Sequence, residues 1–187
     1  MYLDAILDHN QNFVTSNHYE PYKTSKLPNQ KSVILTCMDT RLVELLPAAM
    51  NIKNGDVKMV KNAGGVITSP YDSVVRSLLV AIYVLQADEV IIIGHEDCGM
   101  RTLYDSSIII EQMKAHGVTE DQFQAAKEDG VDVSQWLKGF ETVEGAVENS
   151  VNILNNHPLL PTNTPVHGLV IHPETGELTV VQRGYDN

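Results

Sequence analysis

The stretch SVILTC at residues 32–37 decides the fold of this chain. It is continuous, apolar and rich in β-branched residues, a pattern typical of a strand buried on both faces of a sheet. Similar runs recur along the sequence, at residues 57–61, 89–93, 166–171 and 178–182. Segments with helical spacing of apolar residues separate the first four runs, so strands and helices alternate.

This alternation predicts an α/β fold with a mostly parallel central sheet of about five strands, flanked by helices. The turn PETG at residues 173–176 joins the last two runs as a hairpin, so we expect one antiparallel edge strand. Ser69 and Pro70 fit the start of the helix that follows the second strand. We expect residues 1–187 to form a single domain with an N-terminal helical arm at residues 1–29.

The composition limits the partners of the protein. Lys and Arg together number 13 and Asp and Glu 24, which gives a formal net charge of -11. Nucleic acids and anionic membranes require a basic surface, so we expect neither as a partner.

The first residues are not typical of a signal peptide, and the apolar runs are too short to span a bilayer, which favours a cytoplasmic protein. Aromatic residues make up only 6%, so the core should be mainly aliphatic.

The two cysteines of the chain both follow predicted strands. Cys37 ends the first strand, and Cys98 comes three residues after His95, which ends the third. Sites in parallel sheets lie outside the C-terminal strand ends, so these side chains should converge on one edge. A buried cysteine on its own is usually a small apolar residue. Two thiolates and an imidazole together favour Zn²⁺, and three protein ligands with one open position are typical of catalytic zinc.

Other polar residues near these strand ends are less specific. Asp39 could approach the metal, and Arg41 could bind its carboxylate bidentately and keep it ionised, although the spacing alone favours a surface ion pair. Glu96 and Asp97 are interpreted as solvated loop carboxylates. The loop at residues 62–65, Asn-Ala-Gly-Gly, has small residues that allow close approach of a neighbouring backbone. The six histidines other than His95 lack a comparable setting and are assigned no role.

At these residues the sequence resembles the β-class carbonic anhydrases, and in particular their short bacterial and archaeal branch. The order and spacing of the matching segments fit over roughly residues 30 to 105. C-x-D-x-R followed by H-x-x-C is specific as a combination. The matching segments are CMDTR at residues 37–41, KNAGG at 61–65, RSL at 76–78 and GHEDCGM at 94–100.

The resemblance implies an enzyme that reversibly hydrates CO₂ to bicarbonate and a proton, with Zn²⁺ on Cys37, His95 and Cys98. It implies Asp39 and Arg41 as the catalytic dyad. It also implies that Asp39 can leave Arg41 and become a conditional fourth metal ligand, in a closed form that we expect at lower pH. Finally, it implies a homodimer or a higher homo-oligomer, with the N-terminal helix packed on the partner.

The sequence departs from the family pattern at two positions, and the second of them bears on regulation. Lys61 stands where many members have Arg before the asparagine. Some members bind a regulatory bicarbonate near a Trp three residues before the first cysteine, but here that residue is Ile34 and the chain's single Trp is Trp136. We therefore predict no such regulatory site.

Two alternatives remain open from the sequence. The first keeps the fold and the zinc but changes the substrate to COS or CS₂, which are linear molecules like CO₂. The second is a non-catalytic zinc-binding or redox-sensing protein, in which Cys37 and Cys98 form a disulfide after metal loss.

Overall fold

The computed structural model describes residues 1–186 and is built around one five-stranded sheet. The strands lie in the order β2-β1-β3-β4-β5. The first four pair in parallel, and the last pairs antiparallel with β4. This confirms the predicted mostly parallel sheet with one antiparallel edge strand. The strands are β1 (Ser32–Cys37), β2 (Val57–Asn62), β3 (Glu89–His95), β4 (Val166–Ile171) and β5 (Leu178–Gln182).

Seven α-helices accompany the sheet within residues 1–186. They connect the parallel strands, except that α1 precedes the sheet and that three short helices follow one another in the chain between β3 and α7. The helices are α1 (Tyr2–Thr15), α2 (Leu42–Ala49), α3 (Ser73–Tyr83), α4 (Ser107–Ala115), α5 (Glu120–Glu128), α6 (Val133–Trp136) and α7 (Val143–Asn155).

The helix after β2 begins later than the sequence predicted. The Ser-Pro pair at residues 69–70 lies before it, and α3 begins at Ser73. The reason is Asp72, whose side chain accepts hydrogen bonds from the backbone N–H groups of Val74 and Val75, each at 2.9 Å. A carboxylate at this position satisfies N–H groups that have no acceptor within the helix, so it determines where the helix starts.

The core lies on both faces of the sheet, where α7 packs on β3 and β4 and α3 packs on β1 and β2. Every residue of β1 is buried, as its composition predicted. Gly94 allows α7 to approach closely, since a Cβ atom there would lie 2.7 Å from Cγ1 of Val143. The buried apolar residues of the described chain are aliphatic or cysteine, with no aromatic ring among them, which confirms the predicted aliphatic core.

The N-terminal helix contributes nothing to this core. None of the residues of α1 is buried, and Leu3, Ile6 and Leu7 are exposed. The helices α4, α5 and α6 likewise bury no residue. Every helix within residues 1–186 is too short or too polar to cross a lipid bilayer.

Candidate metal centre

Cys37, His95 and Cys98 lie together at the C-terminal edge of the sheet. Cys37 is the last residue of β1 and His95 the last of the neighbouring strand β3, and the turn after β3 returns Cys98 to the same point. Their potential ligand atoms all lie within 4.8 Å of one another, and all three residues are buried. Within residues 1–186, this is the one group of three or more such side chains that is placed to hold a metal ion.

The imidazole of His95 is oriented by the backbone. Its Nδ1 lies 2.7 Å from the carbonyl oxygen of Glu96, which can only accept a hydrogen bond, so Nδ1 carries the proton. The lone pair of the neutral ring is then on Nε2. That atom is buried and has no hydrogen-bond partner in the structure. Buried polar atoms are nearly always paired, and a histidine that donates its other N–H to a carbonyl is typical of a metal ligand.

The two sulfur atoms have the separation that a shared metal requires. Sγ of Cys37 lies 4.0 Å from Sγ of Cys98, and both thiols are free. Two sulfur ligands at about 2.3 Å from a tetrahedral zinc lie about 3.8 Å apart. A disulfide would need a separation of about 2.05 Å. The donor set and its spacing therefore fit Zn²⁺.

One of the two thiols, Cys37, has the ionisation that metal binding requires. The hydrogen bond from the Cys98 thiol, aided by His95 and by backbone N–H groups, lowers the pKa of Cys37 to about 4 against the opposing effect of burial. The same contact and burial raise the pKa of Cys98. Burial lowers the pKa of His95, but the Cys37 sulfur, the Glu96 carbonyl and Asp39 outweigh it, so the pKa is raised. A bound divalent cation would favour loss of the proton from Cys98 as well, since cysteine binds metals as the thiolate.

Asp39 and Arg41 form a bidentate pair beside the cluster. Nε of Arg41 donates to Oδ1 of Asp39 at 3.0 Å, and Nη2 donates to Oδ2 at 2.9 Å. The backbone N–H of Arg41 also donates to Oδ1 at 2.8 Å. These hydrogen bonds from Arg41 hold the pKa of Asp39 down to about 2, so the carboxylate is ionised at neutral pH. The pairing raises the pKa of Arg41 in turn.

The carboxylate of Asp39 borders the three candidate ligands without joining them. Its Oδ2 lies 3.8 Å from Nε2 of His95. Both of its oxygens accept hydrogen bonds from Arg41, so Arg41 holds the carboxylate apart from the three candidate ligands. The alternative arrangement, with Asp39 as a fourth ligand, stays a prediction.

The two acids of the turn after β3 differ from each other in their contacts. Glu96 is exposed, and its Oε2 lies 4.0 Å from Nε2 of His172. Asp97 is also exposed, but its Oδ2 accepts a hydrogen bond from Nη1 of Arg41 at 2.9 Å. The interpretation of Asp97 as merely solvated therefore missed a contact. The sequence separates Asp97 from Arg41 by 56 residues and contains no signal that they meet.

The loop after β2 supports the end of β1. The side chain of Asn62 closes the loop by donating to the carbonyl of Val66 at 2.7 Å and accepting from its N–H at 3.1 Å. Gly65 has a φ of +65°, and a Cβ there would lie 2.7 Å from the backbone nitrogen of Cys37. The small residues thus allow the close backbone approach that the sequence suggested.

An open cavity of about 720 Å³ reaches the same edge of the sheet. Its lining includes Met38, which follows Cys37 in the chain, and Asn62, which pairs with Cys37 between β1 and β2. Trp136 of α6 and Phe140, which follows that helix, also line it. The cavity is bordered mainly by apolar side chains, which suits a small apolar molecule.

Comparisons with known proteins agree on one family. The family model described as carbonic anhydrase matches residues 32–178. YvdA of Bacillus subtilis (strain 168), provisionally named a carbonic anhydrase, is 58% identical over 98% of this chain and 93% of its own length. A carbon disulfide hydrolase of Acidithiobacillus thiooxidans is 29% identical over 81% of this chain and 78% of its own.

A solved structure extends the agreement to the fold. The crystal structure of β-carbonic anhydrase isoform I from Trichomonas vaginalis superimposes with a TM-score of 0.88 at 38% sequence identity. The match covers 99% of this chain and 100% of that one. The whole arrangement of strands and helices is therefore shared with that protein.

Proposed function

The chain belongs to the β-class carbonic anhydrases, and on that basis we propose that it reversibly hydrates CO₂ at a zinc ion held by Cys37, His95 and Cys98. The observation that carries this proposal is the buried, unpartnered Nε2 of His95, which lies within 4.8 Å of two free thiols. A metal ion gives that nitrogen the partner it otherwise lacks, and the donor set suits zinc.

The residues around the ion have separable roles in this proposal. Zinc, when bound, would supply the Lewis acidity that lowers the pKa of water to about 7, the value known for carbonic anhydrases. The Glu96 carbonyl holds the His95 ring in the ligating tautomer. Asp39 accepts a hydrogen bond from the reacting water at Oδ2, the oxygen that lies 3.8 Å from Nε2 of His95, and so aims a lone pair of that water at CO₂. Arg41 keeps Asp39 ionised and in place.

The ionisation of Asp39 matters for this role. Hydrogen bonds from Arg41 hold its pKa at about 2, so at neutral pH the carboxylate accepts a hydrogen bond and does not donate one. An acceptor in a fixed position selects water molecules whose proton points toward Asp39 and whose lone pair points away from it. Asp39 is therefore proposed as an orienting group and Arg41 as the group that positions it.

The test is stopped-flow CO₂ hydration together with zinc analysis. We expect one zinc per chain and rapid hydration in the wild type, and Asp39→Ala should keep the zinc but lose about 100-fold in kcat/KM. Asp88→Ala is the matched control, because Asp88 is an exposed, Lys31-paired aspartate just before β3, at the opposite end of that strand from His95. A wild type that contains zinc but does not hydrate CO₂ would refute the proposed activity.

A second substrate class is favoured by one specific observation, the match to carbon disulfide hydrolases. COS and CS₂ are linear and apolar like CO₂, and the apolar cavity beside Met38 would admit all three. The higher identity, 58% against 29%, lies with the carbonic anhydrase relative, so CO₂ is the substrate we propose. Measuring sulfide release from COS and CS₂ beside CO₂ hydration separates the two.

The redox-sensing alternative requires the two thiols to form a disulfide with each other. A disulfide between Cys37 and Cys98 would require their sulfur atoms to approach from 4.0 Å to about 2.05 Å. The proposed enzyme requires both as thiolates, which fits a cytoplasmic, reducing compartment. Thiol titration distinguishes the two, since a zinc-free, readily oxidised dithiol supports the sensor and two metal-protected thiols support the enzyme.

We further propose that the protein is a homodimer in which α1 packs on the partner. The support is the apolar surface of α1, where Leu3, Ile6 and Leu7 are spaced to share one helix face and are exposed in the single chain. A second copy of the chain would cover this face and bury its apolar area.

A further inference from the structure

The Arg41 guanidinium is held from two sides by two different loops. One side meets Asp39, in the loop after β1, through Nε and Nη2. The other meets Asp97, in the turn after β3, where Nη1 donates to Oδ2 at 2.9 Å and Nη2 donates to the backbone carbonyl at 3.1 Å. Four of the five N–H donors of the guanidinium are therefore used by these two residues.

The contact with Asp97 fixes the position of Arg41 in a way that the contact with Asp39 cannot. The Arg41 side chain is 37% exposed, and if it were paired with Asp39 alone, the two side chains could move away from the candidate ligands together. Asp97 lies between His95 and Cys98, so its position is fixed relative to the two candidate ligands of that turn. Through Asp97, Arg41 is tied to the metal centre independently of Asp39.

The backbone of Asp97 fits this interpretation. Its φ is +52°, a left-handed conformation that Asp and Asn adopt more readily than other non-glycine residues. In this conformation both the carboxylate and the carbonyl of Asp97 reach Arg41. Within residues 1–186, the Asp97 carboxylate pairs with the side chain of Arg41, although the Asp97 side chain is 85% exposed.

We propose that Asp97 is a positioning residue, which holds Arg41 at the metal centre so that Arg41 can retain Asp39 and recapture it. This inference rests on the proposed function, because it assigns Asp97 a part in the same reaction. Within residues 1–186 the Asp97 carboxylate makes no hydrogen bond to the side chains of the candidate ligands, and its proposed action is through Arg41. The open arrangement of Asp39 therefore depends on a carboxylate outside the C-x-D-x-R motif.

The experiment compares Asp97→Asn and Asp97→Ala with wild type in the purified full chain. Asn keeps the left-handed backbone and a neutral side-chain acceptor, whereas Ala removes the side-chain acceptor and leaves only the backbone carbonyl. Nitrogen-proton NMR of the arginine side chains reports rotation of the Arg41 guanidinium, and the chain has only four arginines to assign. We expect restricted Nη rotation in wild type, faster rotation in Asp97→Asn and the fastest in Asp97→Ala. A role confined to shaping the turn would leave this rotation unchanged.

Kinetics provide the second measurement. We expect kcat/KM for CO₂ to fall about tenfold in Asp97→Ala and less in Asp97→Asn, with zinc content preserved. Asp88→Asn, which removes the same charge from an exposed ion pair with Lys31, should match wild type in both measurements. If Asp97→Ala fails to fold, Asp97→Asn decides the question by itself.

The outcomes separate this inference from the proposed function. An Asp97→Asn variant with wild-type Arg41 rotation and wild-type kcat/KM overturns the positioning role and leaves the carbonic anhydrase activity standing. A wild type that does not hydrate CO₂ overturns the activity, whereas the rotation of Arg41 still shows whether Asp97 anchors it.

Discussion

The Nδ1 atom of His95 lies 2.7 Å from the carbonyl oxygen of Glu96, the residue that follows it in the chain. This contact determines which ring nitrogen carries the proton, and it leaves Nε2 as a buried lone pair directed at two thiols. The local backbone thus orients His95 for the metal binding that we propose.

Replacing His95 should therefore abolish tight metal binding. We expect His95→Ala to lose at least about 100-fold in zinc affinity, more than the effect typical of losing an outer partner of a ligand. Competition with a chelator and metal analysis after dialysis measure this directly. His116→Ala is the control, since His116 is an exposed histidine at the end of α4 and should keep wild-type zinc content.

A methyl group at Gly65 should disturb the end of β1. Its Cβ would lie 2.7 Å from the Cys37 backbone nitrogen, and its φ of +65° is itself unfavourable for alanine. Gly117→Ala isolates the backbone part, because Gly117 has a φ of +97° and open space around it. In urea unfolding we expect a loss of about 1–2 kcal/mol for Gly117→Ala and a clearly larger one for Gly65→Ala. Equal losses would mean that the contact with Cys37 is relieved at no cost.

The pH dependence of stability should include a contribution from Asp56. The Lys53 backbone N–H and the Asn29 amide donate to its carboxylate and lower its pKa below the ordinary value of 3.8. A carboxylate whose pKa is lower in the folded state stabilises the protein above the unfolded pKa, and this stabilisation is lost as the pH falls through the folded pKa. The difference in urea midpoint between wild type and Asp56→Asn should therefore be largest near neutral pH and should shrink below about pH 4. A difference that is constant with pH contradicts the assignment.

A charge on the apolar face of α1 should separate the proposed dimer. Leu7 is 57% exposed in the single chain, and we expect Leu7→Asp to shift the mass measured by light scattering from dimer toward monomer, because an unpaired carboxylate is costly in an apolar interface. Asn12→Asp adds the same charge five residues along, on the opposite face of the helix, and should remain dimeric. Identical masses for the two variants would argue that α1 is not at the interface.

Much of the fold was predictable because its signals are local. The continuous apolar composition of residues 32–37 predicts a buried strand, and the Pro and Gly of residues 173–176 predict the hairpin. The start of α3 was misplaced because the capping contacts of Asp72 with Val74 and Val75 compete with the Ser-Pro signal, which begins three residues earlier. Which of two plausible caps is used depends on the packing of the helix, which local sequence does not specify.

The same distinction between local signals and tertiary contacts applies to the residues of the site. The sequence by itself determined that Cys37, His95 and Cys98 would meet, because parallel strands end at a common edge and side chains at those ends are brought together by topology alone. Only the tertiary structure decided that the Glu96 carbonyl sets the His95 tautomer, that Arg41 binds both oxygens of Asp39, and that Asp97 holds Arg41 from the other side. Those relationships depend on rotamers and on loop conformations, including the left-handed backbone of Asp97, that are set by contacts between residues far apart in the chain.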